Sequence, residues 1–314
     1  MSHTEHREPW NPLEQTVSVV IPTIGRPELR NAVESALGQT SPPLEVWVCA
    51  DTVAELNLPK DSRLRVLRVG PGAGGNAARR AGVEASSGDA IALLDDDDIW
   101  DANKLEKQLA ALQGISAAEA WIATCRATIH TSRGGHDIWP KDKILGCSIP
   151  EYLFKKSRLR ERHSFLQAST LLVPRWMAID CPFDPSATFH QDLGWLLALS
   201  NQFPELTVKQ VWEPLIDYFE QSGSVSRKIT TQMSAAWAEA NLLPVSRRLY
   251  GDFLLTQTMF MARSRIRPIE AVRVFVTAIS KGRPGVHALA HATSVLVRMP
   301  IFLYSSRKTG NSNE

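Results

Sequence analysis

Four short runs of apolar and β-branched residues mark the first hundred positions: TVSVVIP (Thr16–Pro22), LEVWVCA (Leu44–Ala50), LRVLRVG (Leu64–Gly70) and AIALL (Ala90–Leu94). Two stretches between them have helical character, PELRNAVESALGQ from Pro27 and NAARRAGVEASSG from Asn76. The first places proline at a first-turn position and the second closes on Gly88. Apolar runs that do not alternate, interleaved with helices, predict a parallel sheet covered on both faces, a doubly wound α/β domain. Such sheets bind ligands where strands end and loops lead into helices. Each unusual cluster of this half falls there: Thr23–Arg26, Asp51, Gly70–Gly75 and Asp95–Asp98.

The pattern is less regular afterwards. EAWIATCRATI (Glu119–Ile129) and FLQASTLLVP (Phe165–Pro174) read as further strands. DLGWLLALSNQ (Asp192–Gln202) reads as a helix with Leu193, Leu196, Leu197 and Leu199 near its buried side. Beyond LTVKQVWEPLIDYFE, helices are expected from about 230 to 265 and from about 268 to 303. The expected organisation is a flexible N-terminus (1–15), an α/β domain (16–228, with halves of about 16–115 and 116–228), a basic helical region (229–306) and a flexible tail (307–314).

Composition narrows the class. With 44% apolar and 22% charged residues, the 314-residue chain is expected to be a soluble globular protein. Cys49, Cys125, Cys147 and Cys181 are widely spaced and form no CxxC pair, so buried free thiols in a reducing, cytoplasmic setting are expected. The polar first fifteen residues do not read as a secretory signal, and no apolar run reaches the roughly 18 to 20 residues of a spanning helix. The net charge of +2 hides an asymmetry: residues 241–314 carry +8, leaving −6 for residues 1–240. Such a tail points to the inner face of a membrane or another anionic partner, or else to a basic subdomain that simply packs on the rest. No RNA-recognition or helix-turn-helix pattern accompanies the charge, so no nucleic-acid partner is expected.

The chemistry begins where AIALL runs into Asp95–Asp98. Four adjacent carboxylates raise each other's pKa and need positive charge among them. A divalent cation, Mg²⁺ or Mn²⁺, takes hard oxygen ligands, and two aspartates spaced D-x-D can hold one against a diphosphate. The blander alternative is a solvated turn, with Asp101 capping a helix that begins near Ala102. GPGAGGNAARRAG (Gly70–Gly82) follows the third strand without a clean G-x-G-x-x-G. It is better read as a nucleotide-facing loop with Arg79 or Arg80 near a diphosphate, or as a plain turn. In ATFHQDLGW (Ala187–Trp195), Asp192 suits either a helix cap or a general base. Neither G-x-S-x-G nor H-E-x-x-H occurs.

Taken together, VSVVIPTIGRPELRNAVESALGQTSPPLEVWVCAD, GGNAARRAGVEASSGDAIALLDDDDIWDANKLEKQL, STLLVP and FHQDLGW resemble the family-2 glycosyltransferases of the GT-A fold, from about Thr16 to Asn201. The resemblance implies a mostly parallel sheet flanked by helices, with the C-terminal helices as an extension. It implies an inverting transferase that uses a nucleoside-diphosphate sugar, a UDP-sugar first of all, and a divalent metal. Pro22, Thr23, Gly25 and Arg26 would form the first nucleotide-contacting loop. Asp51 would contact the base, Arg79 the nucleotide, and Asp95 or Asp96 the ribose side. Asp97 would hold the metal, Asp192 would be the catalytic base, and His190, Gln191 and Trp195 would line the sugar or acceptor pocket. Ala50 and Arg80 depart from the family pattern, where Asp and Asn are usual. The acceptor expected is a glycan, glycolipid or small molecule of cell-surface polysaccharide or glycoconjugate synthesis. Thr131–Arg162 would wall it, and Tyr218–Lys228 would close over the diphosphate. The rival readings are a sugar-phosphate nucleotidyltransferase, for which PTIGRPE supplies only Gly25 and Arg26, and a catalytically silent nucleotide-sugar-binding protein.

Overall fold

The computed structural model describes residues 11, 14–116, 118–131, 134–158, 164–220 and 229–310. Most of the two expected flexible ends, and residues 221–228 of the expected closing loop, lie outside the described residues. Two compact units emerge, one drawn from Met1–Leu145 with His163–Ser224 and the other from Gly146–Arg162 with Val225–Glu314.

The first unit contains β1 (Val17–Thr23), α1 (Leu29–Leu37), β2 (Glu45–Ala50), β3 (Leu64–Arg68), α2 (Gly75–Ala85), β4 (Ala90–Leu93), β5 (Ile99–Trp100), α3 (Lys104–Ala110), β6 (Trp121–His130) and β7 (His136–Trp139). After α4 (Ile149–Phe154), which belongs to the other unit, it continues with β8 (Leu172–Pro174), α5 (Arg175–Asp180), α6 (Gln191–Gln202) and β9 (Thr207–Phe219). The strands form one sheet in the order β3-β2-β1-β4-β8-β6-β9-β5, with β7 on β6.

The parallel pattern expected from the apolar runs holds for β1 to β4. Beyond β4 the sheet is mixed: β8 runs antiparallel to β4 and β6, β9 parallel to β6, and β5 antiparallel to β9. β3 is also not covered on both faces. It is an edge strand with Arg65, Val66 and Arg68 exposed, and its arginines make it a poor template for further pairing. In FLQASTLLVP, Ala168–Thr170 form a 3₁₀ turn and only Leu172–Pro174 are strand.

One face of the sheet packs Val17, Val19 and Ile21 with Leu29, Ala32, Val33 and Ala36 of α1 and with Leu105 and Leu109 of α3. α2 comes so close to the other face that a Cβ on Gly82 would lie 2.5 Å from Val20 Cγ1 and 2.6 Å from Cys49 Sγ. All four cysteines are free, and Cys49, Cys125 and Cys181 are buried.

The second unit is helical: α4, α7 (Thr231–Asn241), α8 (Arg247–Phe253), α9 (Met259–Ser264), α10 (Pro268–Lys281) and α11 (Val286–Gly310). α8 runs into α9 through a π-helical turn at Leu254–Thr258. The buried Asp252 carboxylate ties the unit together, accepting from Lys156 N (2.9 Å), Gly285 N (2.7 Å) and Arg248 Nε (2.9 Å). The stretch expected as an acceptor wall is therefore divided, because residues 146–162 go with the C-terminal helices. Among the described residues no helix is long and apolar enough to cross a membrane.

Candidate active site

The register of the sheet decides what meets the four aspartates. Ala92 of β4 pairs antiparallel with Leu172 of β8, so β8 begins where β4 ends. The 3₁₀ turn ahead of β8 therefore lies beside Asp95. Ser169 Oγ accepts from Asp95 N (3.0 Å) and donates to Asp98 Oδ2 (2.5 Å). Gln167 Nε2 donates to Asp95 Oδ2 (2.6 Å). On the other side, Ile99 of β5 pairs with Asp217 of β9. This sets Tyr218 next to the acidic run, and burial together with the field of Asp98, Asp95, Asp97 and Asp192 pushes its hydroxyl pKa up.

The positive charge that the aspartates need comes first from within the chain. β1 ends in Thr23, whose Oγ1 donates to Asp96 Oδ2 (2.5 Å) and accepts from Gly25 N (2.8 Å). Gly25 has φ +87°, a left-handed conformation that glycine tolerates best, and the turn it makes delivers Arg26. Arg26 Nη1 lies 2.5 Å from Asp96 Oδ1 and 3.1 Å from Asp97 Oδ2. From α2 the buried Arg79 places Nη2 2.6 Å from Asp95 Oδ1 and Nη1 3.0 Å from Gln191 Oε1. Burial opposes the charge on both arginines, but the carboxylates prevail and both pKa values rise. Arg80, one residue on, faces solvent and pairs with Glu84, so of the two candidates only Arg79 reaches the cluster.

Five carboxylates, Asp95 to Asp98 and Asp192, thus share two guanidinium groups, and negative charge is left over. Burial and Asp95 push Asp97 up to about 6. Burial also raises Asp96, and raises Asp98 well above the ordinary carboxylate range. Among the described residues no three His, Cys, Asp or Glu side chains converge into a ready-made metal cage. A Mg²⁺ or Mn²⁺ ion that draws its other ligands from phosphate and water needs only one or two carboxylates. Asp97 fits that role, because the one other residue bonded to its side chain among the described residues is Arg26, while the side chains of Asp95 and Asp96 each meet two; Asp98 is held twice through Oδ2, and its buried Oδ1 has no partner among those residues.

Asp192 is not the helix cap that its position suggests. α6 begins at Gln191 with His190 as the capping residue, and Asp192 lies in the first turn. Its Oδ2 accepts from Ala168 N (3.0 Å), across from the 3₁₀ turn. Burial and Asp95 raise its pKa while Arg79 pulls it down. A carboxylate poised upward in this way is suited to accepting a proton.

Asp51 holds the glycine-rich loop in place. Its two oxygens accept from Ala73 N and Gly74 N, both at 2.8 Å, and a Cβ on Gly70 would lie 1.6 Å from Oδ1. The loop feeds α2, which starts without a side-chain cap on its first amides and with Gly75 close against Gln191 and Arg79. Thr23, Gly25, Arg26, Arg79, Asp95, Asp96, Asp97, Gln191 and Asp192 therefore form one connected site. Pro22 is buried in β1 opposite Cys49. Trp195 is buried too, stacked on Phe183 at 4.1 Å with Nε1 donating to Cys181 O, so it helps to seat α6. Gln167 and Ser169 carry no expected role in the sequence, and Tyr218 only that of opening the closing segment Tyr218–Lys228. The polar residues inside FLQASTLLVP were the available sign of the first two, while Tyr218 lies in β9 beside the aspartates.

The chain matches the model of Glycosyl transferase family 2 over residues 18–166. It is 27% identical over 237 residues to TuaG of Bacillus subtilis strain 168, named for a teichuronic acid biosynthesis glycosyltransferase, covering 73% of this chain and 87% of that one. It is 35% identical over 102 residues to WfgD of Escherichia coli, a UDP-Glc:alpha-D-GlcNAc-diphosphoundecaprenol beta-1,3-glucosyltransferase, covering 31% of this chain and 40% of that one. Among solved structures it resembles S. aureus TarS 1–349 in complex with UDP-GlcNAc, with a TM-score of 0.53, 13% identity and 90% and 91% of the two chains covered.

Proposed function

From the premise that residues 18–166 are a glycosyl transferase family 2 domain and the chain is a glycosyltransferase, we propose that it moves a sugar from a UDP-sugar to a hydroxyl of a cell-envelope glycan or glycolipid, with inversion. The observation that carries this reading is the pair of carboxylates, Asp95 and Asp192, set around the buried Arg79 guanidinium. Asp95 and Asp96 belong to the donor side, with Arg26, Arg79 and the uncapped start of α2 offsetting the charge of the diphosphate. Asp97 is the residue that would hold a Mg²⁺ or Mn²⁺ ion, and when bound such an ion stabilises the departing diphosphate as a Lewis acid.

Asp192 takes the proton of the acceptor hydroxyl as its oxygen forms a bond to the anomeric carbon. The bond from that carbon to the diphosphate oxygen breaks, and UDP leaves with the electron pair. A single in-line displacement inverts the configuration, by the same logic as an inverting glycosidase with an alcohol in place of water. The UDP donor and the envelope acceptor rest on what the relatives are named for.

The test is a thermal-shift panel of UDP, GDP, CDP, dTDP and ADP, each with and without Mn²⁺, on the wild type, Asp97→Asn and Asp192→Asn. A ligand at a hundred times its Kd stabilises by about 2.7 kcal/mol, enough to register in a domain of this size. The expected result is a Mn²⁺-dependent shift for UDP that is lost in Asp97→Asn and kept in Asp192→Asn, with transfer abolished in the latter. Absence of any nucleotide shift, or substantial transfer by Asp192→Asn, would overturn the assignment.

A further inference from the structure

α10 packs inward through Ala271, Val274 and Ala278. Its other face carries Ile269, Val272, Val276 and Ile279, which are 69%, 51%, 57% and 50% exposed. At 3.6 residues per turn these four fall within an arc of roughly 80°. Apolar side chains scattered singly over a surface are ordinary, whereas four β-branched ones aligned on a single helix are not.

The surroundings of this stripe are basic. Arg273 is exposed on the helix itself, Arg265 and Arg267 at its start, and Lys281 and Arg283 at its end. Glu270, the one acidic residue of α10, turns aside to Thr231 and Arg267. Arg273 and Arg283 have no acidic partner among the described residues. The helix is firmly held at its C-terminal end: Arg283 N donates to Arg247 O (2.9 Å), Arg247 Nε to Lys281 O (3.0 Å), and Gly285 N to the buried Asp252 (2.7 Å). On α11, Val286 and Val297 are 72% and 69% exposed, adding apolar surface next in the chain.

We propose that α10 docks on an anionic membrane surface, with Ile269, Val272, Val276 and Ile279 entering the boundary between headgroups and acyl chains and the arginines among the phosphates. An apolar stripe with a cationic rim is the pattern of a helix that lies in the membrane interface. Charge complementarity selects lipid over a second copy of the chain, because two such faces would bring like charges together. The basic excess of residues 241–314 gains a place to act, on a helix too short to cross the membrane. The docking face does not depend on the donor assignment above.

The test is flotation of the full chain with vesicles of phosphatidylcholine alone and of phosphatidylcholine with phosphatidylglycerol. The proteins compared are the wild type, Val272→Asp/Val276→Asp, Arg273→Glu, and Val66→Asp as an equivalent change on the exposed edge strand. The expected result is flotation with anionic vesicles that high salt weakens, reduced about tenfold or more by the double substitution, reduced less by Arg273→Glu and unchanged by Val66→Asp. An unaltered thermal shift with UDP in the double variant would show that it is folded and that the donor site is independent. The proposal is overturned if the wild type does not float with anionic vesicles, or if the double variant floats equally well. It is equally overturned if sedimentation shows that the stripe joins two copies of the chain instead.

Discussion

His190 occupies left-handed backbone, φ 52°, immediately before α6, and burial pushes its imidazole pKa down to about 4. In the unfolded chain the same group titrates near 6.5. Between those values the unfolded state binds a proton that the native state refuses, so His190 makes stability fall as the pH drops from about 6.5 toward about 4. Asp96, Asp97, Asp98 and Asp192, whose pKa values are raised, act in the opposite sense over the acidic range. The comparison with His190→Gln isolates the histidine: the wild type should lose more Tm between pH 6.5 and 5 than the variant. Parallel profiles would show that the imidazole does not resist protonation. The residues around it were unequally legible. The carboxylates announced themselves because four of them follow a buried strand. The stacking of Trp195 on Phe183 was not legible, because an aromatic in a short motif carries no sign of which way its helix turns it.

At the scale of the element, helix α2 shows how closely backbone approach and chemistry are linked. Arg79 reaches Asp95 because α2 lies tight on β1 and β2, and it lies tight because position 82 has no side chain. Gly82→Ala should cost about 1 to 3 kcal/mol through overpacking. A lowered urea midpoint would be the sign, together with a weaker nucleotide shift as Arg79 is displaced. An unchanged midpoint would mean that the helix can retreat without loss. β8 makes a similar point for strands. Its three residues give little periodic signal, yet their antiparallel pairing with β4 carries Gln167 and Ser169 to the acidic loop.

For the molecule as a whole, the division into two units follows buried polar ties as much as chain order. Asp252 joins the segment after α4, α8 and the loop before α11 through three hydrogen bonds accepted by one buried carboxylate. Asp252→Ala would strand buried donors, at a cost on the order of 3 kcal/mol. Hydrogen exchange should then accelerate across 149–156 and 231–299 while the UDP-dependent shift of the first unit persists. Uniform acceleration over the whole chain would mean that the two units unfold as one.

The sequence by itself determined what repeats locally: the four apolar runs, the helices between them, the acidic run at the end of β4 and the basic excess of the tail. Each of these is written in neighbouring residues, through burial, helical spacing or summed charge. Only the tertiary structure decided which distant groups meet. It brought Arg26 and Arg79 to the aspartates, turned Asp192 toward Ala168 and away from its own helix, buried Trp195 on Phe183 and drew residues 146–162 to the C-terminal helices. Strand order, register and the close packing at Gly82 set those meetings, and they depend on pairings between segments more than a hundred residues apart, which no local pattern encodes.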